Sequence, residues 1–102
     1  MTRAASVIFH RLAAREFKEA RNWYAAKASQ QIADRCCDEI DRCVTLGAAS
    51  PELGNVYEGH YRWLKLRRFP YLLIFTLTDE ETVLTVAVAH ERRAPGYWRD
   101  RN

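Results

Sequence analysis

The hydrophobic pattern of this chain changes period once, and that change orders its elements. Between Arg11 and Val44 apolar residues recur every three or four positions; between Tyr61 and Ala89 they alternate or form short β-branched and aromatic runs. Helices gathered in the first half and strands in the second point to an α+β fold, because segregated elements pack as a helical layer on a sheet.

Val7-Ile8-Phe9 reads as a short first strand. From Arg11 to near Ala28, the residues Ala13, Phe17, Ala20 and Tyr24, with Trp23 beside them, make the apolar stripe of a first helix. Glu16, Lys18, Glu19 and Arg21 are assigned to its solvated face. Ser29 is the expected N-cap of a second helix whose stripe is Ile32, Cys36, Ile40 and Cys43, with Val44 alongside. Gly47 is expected to end it in a left-handed backbone. So short a connection makes the two helices an antiparallel hairpin.

Residues 48–59, with Pro51, Gly54 and Gly59, read as a loop. Three strands follow: Tyr61–Arg67, Tyr71–Thr78 and Thr82–Ala89, the last two joined at Thr78-Asp79-Glu80-Glu81. In the first of these, Leu64 and Leu66 face one way and Tyr61, Trp63, Lys65 and Arg67 the other. The expected order is an N-terminal strand, a two-helix antiparallel hairpin and a three-stranded antiparallel sheet segment. The hairpin covers one sheet face and leaves the other partly open.

At 102 residues the chain reads as one domain, 1–102, large enough for a core without disulfide or metal staples. No apolar run reaches the ~20 residues that span a bilayer, and the first residues lack the apolar length of a signal peptide, so a cytoplasmic location is expected. Cys36 and Cys43 would lie about 10 Å apart along one helix, too far to bridge. With no Cys-x-x-Cys pair and no histidine near them, the thiols read as packing residues and neither metal nor cofactor is expected.

Charge is uneven. Residues 1–60 hold eight Lys/Arg and eight Asp/Glu; residues 61–102 hold eight against five, and three of those five are Asp79, Glu80 and Glu81. The C-terminal half is otherwise basic, which suits a nucleic acid or an acidic protein. Trp63, Lys65 and Arg67 form either a surface for phosphates and bases or an edge strand kept soluble by charge. In Arg68-Phe69-Pro70-Tyr71, Pro70 marks a strand beginning after a turn and Phe69 packs, while Arg68 sits at the corner. His90, with Arg92 and Arg93 close behind, either moves protons beside stabilising cations or binds backbone and locks the C-terminal turn. Pro95-Gly96-Tyr97-Trp98 turns two aromatics back onto the sheet, Trp98 as core and Tyr97 as core, proton donor or stacking platform.

Read in order, these pieces resemble the RelE/ParE superfamily of toxins from type II toxin–antitoxin modules, over nearly the whole chain. The likeness is carried by Ala14-Arg15-Glu16-Phe17-Lys18-Glu19-Ala20 leading to Trp23-Tyr24, by Arg68-Phe69-Pro70-Tyr71, by Val86-Ala87-Val88-Ala89-His90-Glu91-Arg92-Arg93, and by Tyr97-Trp98. It implies a helical hairpin on a small, antiparallel-rich sheet. RelE-like members cleave mRNA in the ribosomal A site without metal; on this chain Lys65, Arg68, His90, Arg93 and Tyr97 would carry that chemistry. ParE-like members inhibit DNA gyrase and lack nuclease activity. The long hairpin, the Phe-Pro-Tyr segment and the His-Glu-Arg ending resemble the ParE branch and its plasmid-stabilisation relatives, so the expectation is a gyrase-directed growth inhibitor, with the ribonuclease as the alternative. The resemblance also implies a cognate antitoxin with an acidic amphipathic tail and a toxin–antitoxin hetero-oligomer. As aromatics flanking cations, Trp23, Tyr24 and Trp63 are the expected antitoxin anchors, with Trp23 equally readable as core.

Overall fold

The computed structural model describes residues 6–78 and 81–101. Asp79 and Glu80 of the expected turn, and the start of the chain through Ala5, lie outside the described residues. The elements run β1 (Ser6–Phe9), α1 (Arg11–Lys27), α2 (Gln30–Ala49), a 3-10 turn (Pro51–Leu53), β2 (Asn55–Val56), β3 (Tyr61–Lys65), β4 (Tyr71–Leu77) and β5 (Thr82–His90). They form an α+β fold with one five-stranded sheet in the order β1-β5-β4-β3-β2.

The sheet is mixed. β3, β4 and β5 pair antiparallel as expected, but β1 adds to β5 in parallel, Val7 opposite Val83 and Phe9 opposite Thr85. A parallel partner needs a long crossover, and the helical hairpin supplies it. β2 was read as loop; its two exposed residues carry no alternation and join β3 through backbone pairing alone. A register shift between β4 and β5 falls at Ile74/Phe75.

Ser29 caps α2 as expected, its hydroxyl accepting the Ile32 N–H at 3.1 Å. The buried stripe of α2 is Ala33, Cys36, Ile40, Cys43 and Gly47; Cys36, Ile40 and Cys43 pack with Ala20 of α1 against Leu66, Phe69, Leu73 and Val88. Cys36 and Cys43 are free and buried. Burial, the larger effect, and then neighbouring Cys37 push the Cys36 thiol up to about 11, as suits a thiol that packs and does not react.

Gly47 does not end the helix, which continues to Ala49. It is instead a close-approach residue: a Cβ there would stand 3.3 Å from Cζ of Phe75. The helix stops at Ser50, because the residue before Pro51 is disfavoured in the helical region.

The opposite sheet face carries a second cluster: Ile74, Val86, Ala87 and Ala89 under Trp98, with Tyr57, Tyr61 and Trp63 around it. Trp98 is 1% exposed and takes Tyr57 and Tyr61 edge-on, with ring centroids 5.1 and 4.7 Å away. The segment after β5 therefore folds back as a lid on the face that the helices leave. Among the described residues no helix is long and apolar enough to cross a membrane, and no group of His, Cys, Asp or Glu is placed to hold a metal ion.

Candidate functional site: two grooves beside Tyr24

β1 ends before β5 does, its last ladder contact being the His10 N–H to the Thr85 carbonyl at 2.9 Å. Beyond Thr85 the β5 backbone on that side needs other partners. Side chains supply them. The Glu16 carboxylate accepts the Val88 N–H at 3.1 Å, and the Arg101 guanidinium donates to the Val86 carbonyl at 3.0 Å. Arg101 also clamps Glu16 through both carboxylate oxygens, at 2.7 and 3.1 Å, while the Tyr97 hydroxyl donates to Glu16 Oε2 at 2.5 Å.

Glu16 is thus 9% exposed, not part of the solvated face to which its charge assigned it. Its position did carry the signal, since Glu16 lies three residues after Ala13 and four before Ala20, inside the buried stripe. Charge outweighed period in the reading, and the carboxylate's partners come from residues more than 70 positions away.

Above this network opens a groove of about 360 Å³ between α1, the start of β4 and the end of β5. His90, Arg93 and Tyr97 line it, together with Trp23, Tyr24 and Tyr71. The Arg93 guanidinium lies over the Tyr97 ring at 3.9 Å, and the His90 ring meets Tyr71 edge-on at 5.1 Å. The His90 Nδ1 accepts the Arg92 N–H at 3.0 Å, so the neutral ring carries its proton on Nε2. In that tautomer Nε2 can donate but has no lone pair with which to take a proton. Burial, and then the hydrogen bond to Glu16, push the Tyr97 phenol well above its ordinary range. Burial likewise raises Tyr71, to about 12. Both phenols are held protonated, and that of Tyr97 donates to Glu16.

The other cations named from sequence lie elsewhere. Lys65 spends its ammonium on Glu91 at 2.8 Å and on the carbonyls of Phe69 and Leu66 at 3.1 and 3.3 Å. Arg68 lines a second groove, about 510 Å³, between α2 and the turn joining β3 to β4, where Arg35, Arg67 and Glu39 join it. Tyr24 lines both grooves. The expected array of Lys65, Arg68, His90, Arg93 and Tyr97 therefore divides into His90, Arg93 and Tyr97 in one groove, Arg68 in the other, and Lys65 tethered outside both.

The face assigned to Trp63, Lys65 and Arg67 divides as well. The strand stops at Lys65, and the Arg67 N–H turns toward α2, donating to Glu39 Oε2 at 2.5 Å. Of the three aromatics named as antitoxin anchors, Trp23 is 55% exposed and meets Tyr24 edge-on at 5.0 Å. Trp63 packs with the Trp98 cluster on the opposite sheet face.

Comparison with known proteins agrees with this architecture. A family model described as the ParE toxin of the type II toxin–antitoxin system, parDE, matches residues 7–95. A solved structure described as the chromosomal ParDE TA system from P. aeruginosa superposes with a TM-score of 0.72 at 17% identity, covering 83% of this chain and 94% of that one. At that identity the likeness is one of fold. No curated protein matches the chain. With the match running from β1 past the end of β5, the chain belongs to the ParE toxin family of type II toxin–antitoxin systems.

Proposed function

We propose that this chain, 1–102, is a single toxin domain that arrests growth in the cytoplasm by binding DNA gyrase, and that a cognate antitoxin neutralises it. Family membership supports the class of activity. One observation favours binding over RNA cleavage: His90 and Tyr97, named to move protons, and Lys65, named to stabilise the phosphate, are already committed. The Tyr97 hydroxyl donates to Glu16, His90 spends its Nδ1 lone pair on the Arg92 N–H, and Lys65 is tied to Glu91. A metal-independent ribonuclease needs a base with a free lone pair within reach of the attacking hydroxyl.

Purified protein is expected to inhibit gyrase supercoiling at micromolar concentration while mRNA stays intact in cells expressing it. Unimpaired supercoiling together with fragmented, translated mRNA would replace this reading with the ribonuclease. That alternative draws on the meeting of His90, Arg93 and Tyr97 in one groove.

For the antitoxin, Trp23 is the anchor that the geometry supports best, an exposed ring at the rim of the first groove. Trp23→Ala is expected to weaken antitoxin binding by about 2 kcal/mol. Folding stability should change by less than about 0.5 kcal/mol, because the ring is largely solvated. Calorimetric titration with the antitoxin and a urea melt of the free toxin measure the two. A large loss of stability would place Trp23 in the core instead.

A further inference from the structure

The helical hairpin turns two stripes of opposite charge to solvent. On α1, Arg11, Arg15, Lys18 and Asn22 recur along the line of the helix farthest from its buried residues. On α2, Asp34, Asp38, Asp41 and Thr45 do the same, and all eight are exposed. The helices are joined through Ala28 and Ser29 alone and run antiparallel. Counted in opposite directions, both stripes step by four, three and four residues. Laid antiparallel, they meet in register, Arg15 with Asp41 and Lys18 with Asp38, while Arg11 reaches Thr45 and the Asn22 amide reaches Asp34.

Within one chain this complementarity is unused. None of Arg11, Arg15, Lys18, Asp38 and Asp41 makes an ion pair among the described residues. Each stripe therefore holds like charges three and four residues apart, an arrangement that weakens a helix. The effect shows at Asp41. Partial burial, followed by the neighbouring charge of Asp38, pushes that carboxyl above its ordinary range, and no cation offsets it. Beside Asp41 and Thr45 lies a shallow depression of about 420 Å³, lined also by Leu46 and Ala49, where the apolar stem of an arginine can rest.

We propose that a second copy of this chain covers the hairpin, α1 of each copy lying antiparallel on α2 of the other, so that the two stripes pair twice about a two-fold axis. Such a contact needs a surface complementary to itself, and stripes of opposite sign at matched spacing provide one. A nucleic acid fits less well, because the acidic stripe runs beside the cationic one and repels phosphate. Exposed ion pairs contribute little each, so the dimer is weak and dissociates as salt rises. None of the eight residues lines either groove beside Tyr24. The inference requires neither gyrase binding nor an antitoxin.

Sedimentation velocity of the intact protein at about 300 µM reads the association, a concentration suited to a weak contact. A dimer is expected at about 50 mM salt and a monomer at about 500 mM. Arg15→Asp and Asp41→Arg should each weaken self-association about tenfold or more, because each sets like charges face to face twice. Mixed in equal amounts, the two variants should dimerise again, since each offers the charge that the other lacks. Both should melt as wild type does, their side chains being exposed, and recovery on mixing itself requires folded chains. Lys27→Asp, the same change of charge off the stripe, should leave the dimer intact. The proposal is overturned if the two variants self-associate as wild type does, or if their mixture stays monomeric. A wild-type protein that remains monomeric at low salt overturns it as well, whether or not a DNA duplex then binds through Arg15.

Discussion

Replacing Glu16 by alanine is expected to cost about 3–5 kcal/mol of folding stability, the usual penalty for removing one partner of a buried ion pair. The carboxylate is the common acceptor for Arg101, Tyr97 and the Val88 N–H, and both side chains of the ion pair are nearly covered, 11% and 10% exposed for Arg101 and Glu16. Alanine would leave a buried phenol and a strand N–H without an acceptor and a buried guanidinium with no carboxylate, only the Val86 carbonyl, and each such loss costs the group's desolvation. Against a total stability of roughly 5–15 kcal/mol, that is a large fraction of the whole.

A urea melt followed by tryptophan fluorescence measures the loss, because Trp98 lies on the sheet face closed by the same C-terminal segment. Glu16→Ala/Arg101→Ala should be less unstable than the sum of the single variants, since removing both charges leaves no orphaned ion. If Glu16→Ala melts within about 1 kcal/mol of wild type, water reaches the carboxylate and the edge of β5 is not sealed as described.

Gly54→Ala is expected to destabilise by about 2 kcal/mol, for a purely steric reason. The backbone at Gly54, φ −71 and ψ 143, suits any residue, so left-handed geometry plays no part. A Cβ there would stand 2.6 Å from Cζ and 2.9 Å from Cε1 of Phe75. On its other side the ring lies close to Gly47, where a Cβ would stand 3.3 Å from the same Cζ, so it has little room to retreat; the ring fills the space that two glycines leave between α2 and the segment leading into β2. For a domain near this size, about 2 kcal/mol lowers the melting temperature by roughly 8–16 °C. Phe75→Leu in the Gly54→Ala background should recover part of the loss, because the branched chain is shorter than the ring. If Gly54→Ala melts like wild type, Phe75 is free to move and the close packing is not what selects glycine.

The two glycines show where sequence reading stops. Gly47 near the end of an apolar stripe suggested a helix terminus, a local interpretation of a residue whose reason is a ring on β4. Glu16 was placed on the solvated side because an isolated carboxylate is costly to bury; its compensation comes from the opposite end of the chain. The cationic residues suffered similarly. Strand alternation placed Trp63 and Lys65 on one face, but it could not foresee that the strand ends at Lys65 and that Glu39 draws the Arg67 backbone toward α2. Nor does any local pattern show that Lys65 meets Glu91, or that Arg35 on a helix and Arg68 in a turn border one groove.

By itself, the sequence determined the order of elements, the cap at Ser29, the stripes that join the helices to the sheet, the inward turn of Trp98 and, through its likeness to a toxin superfamily, the kind of protein this is. These are local or periodic properties, and hydrophobic burial reads them along the chain. Tertiary structure alone decided the parallel placement of β1, the burial of Glu16, and the division of the arginines and aromatics between two grooves and two sheet faces. Those outcomes depend on which distant polar groups meet once the layers close, and a charge is placed by its partners, which sequence spacing does not name.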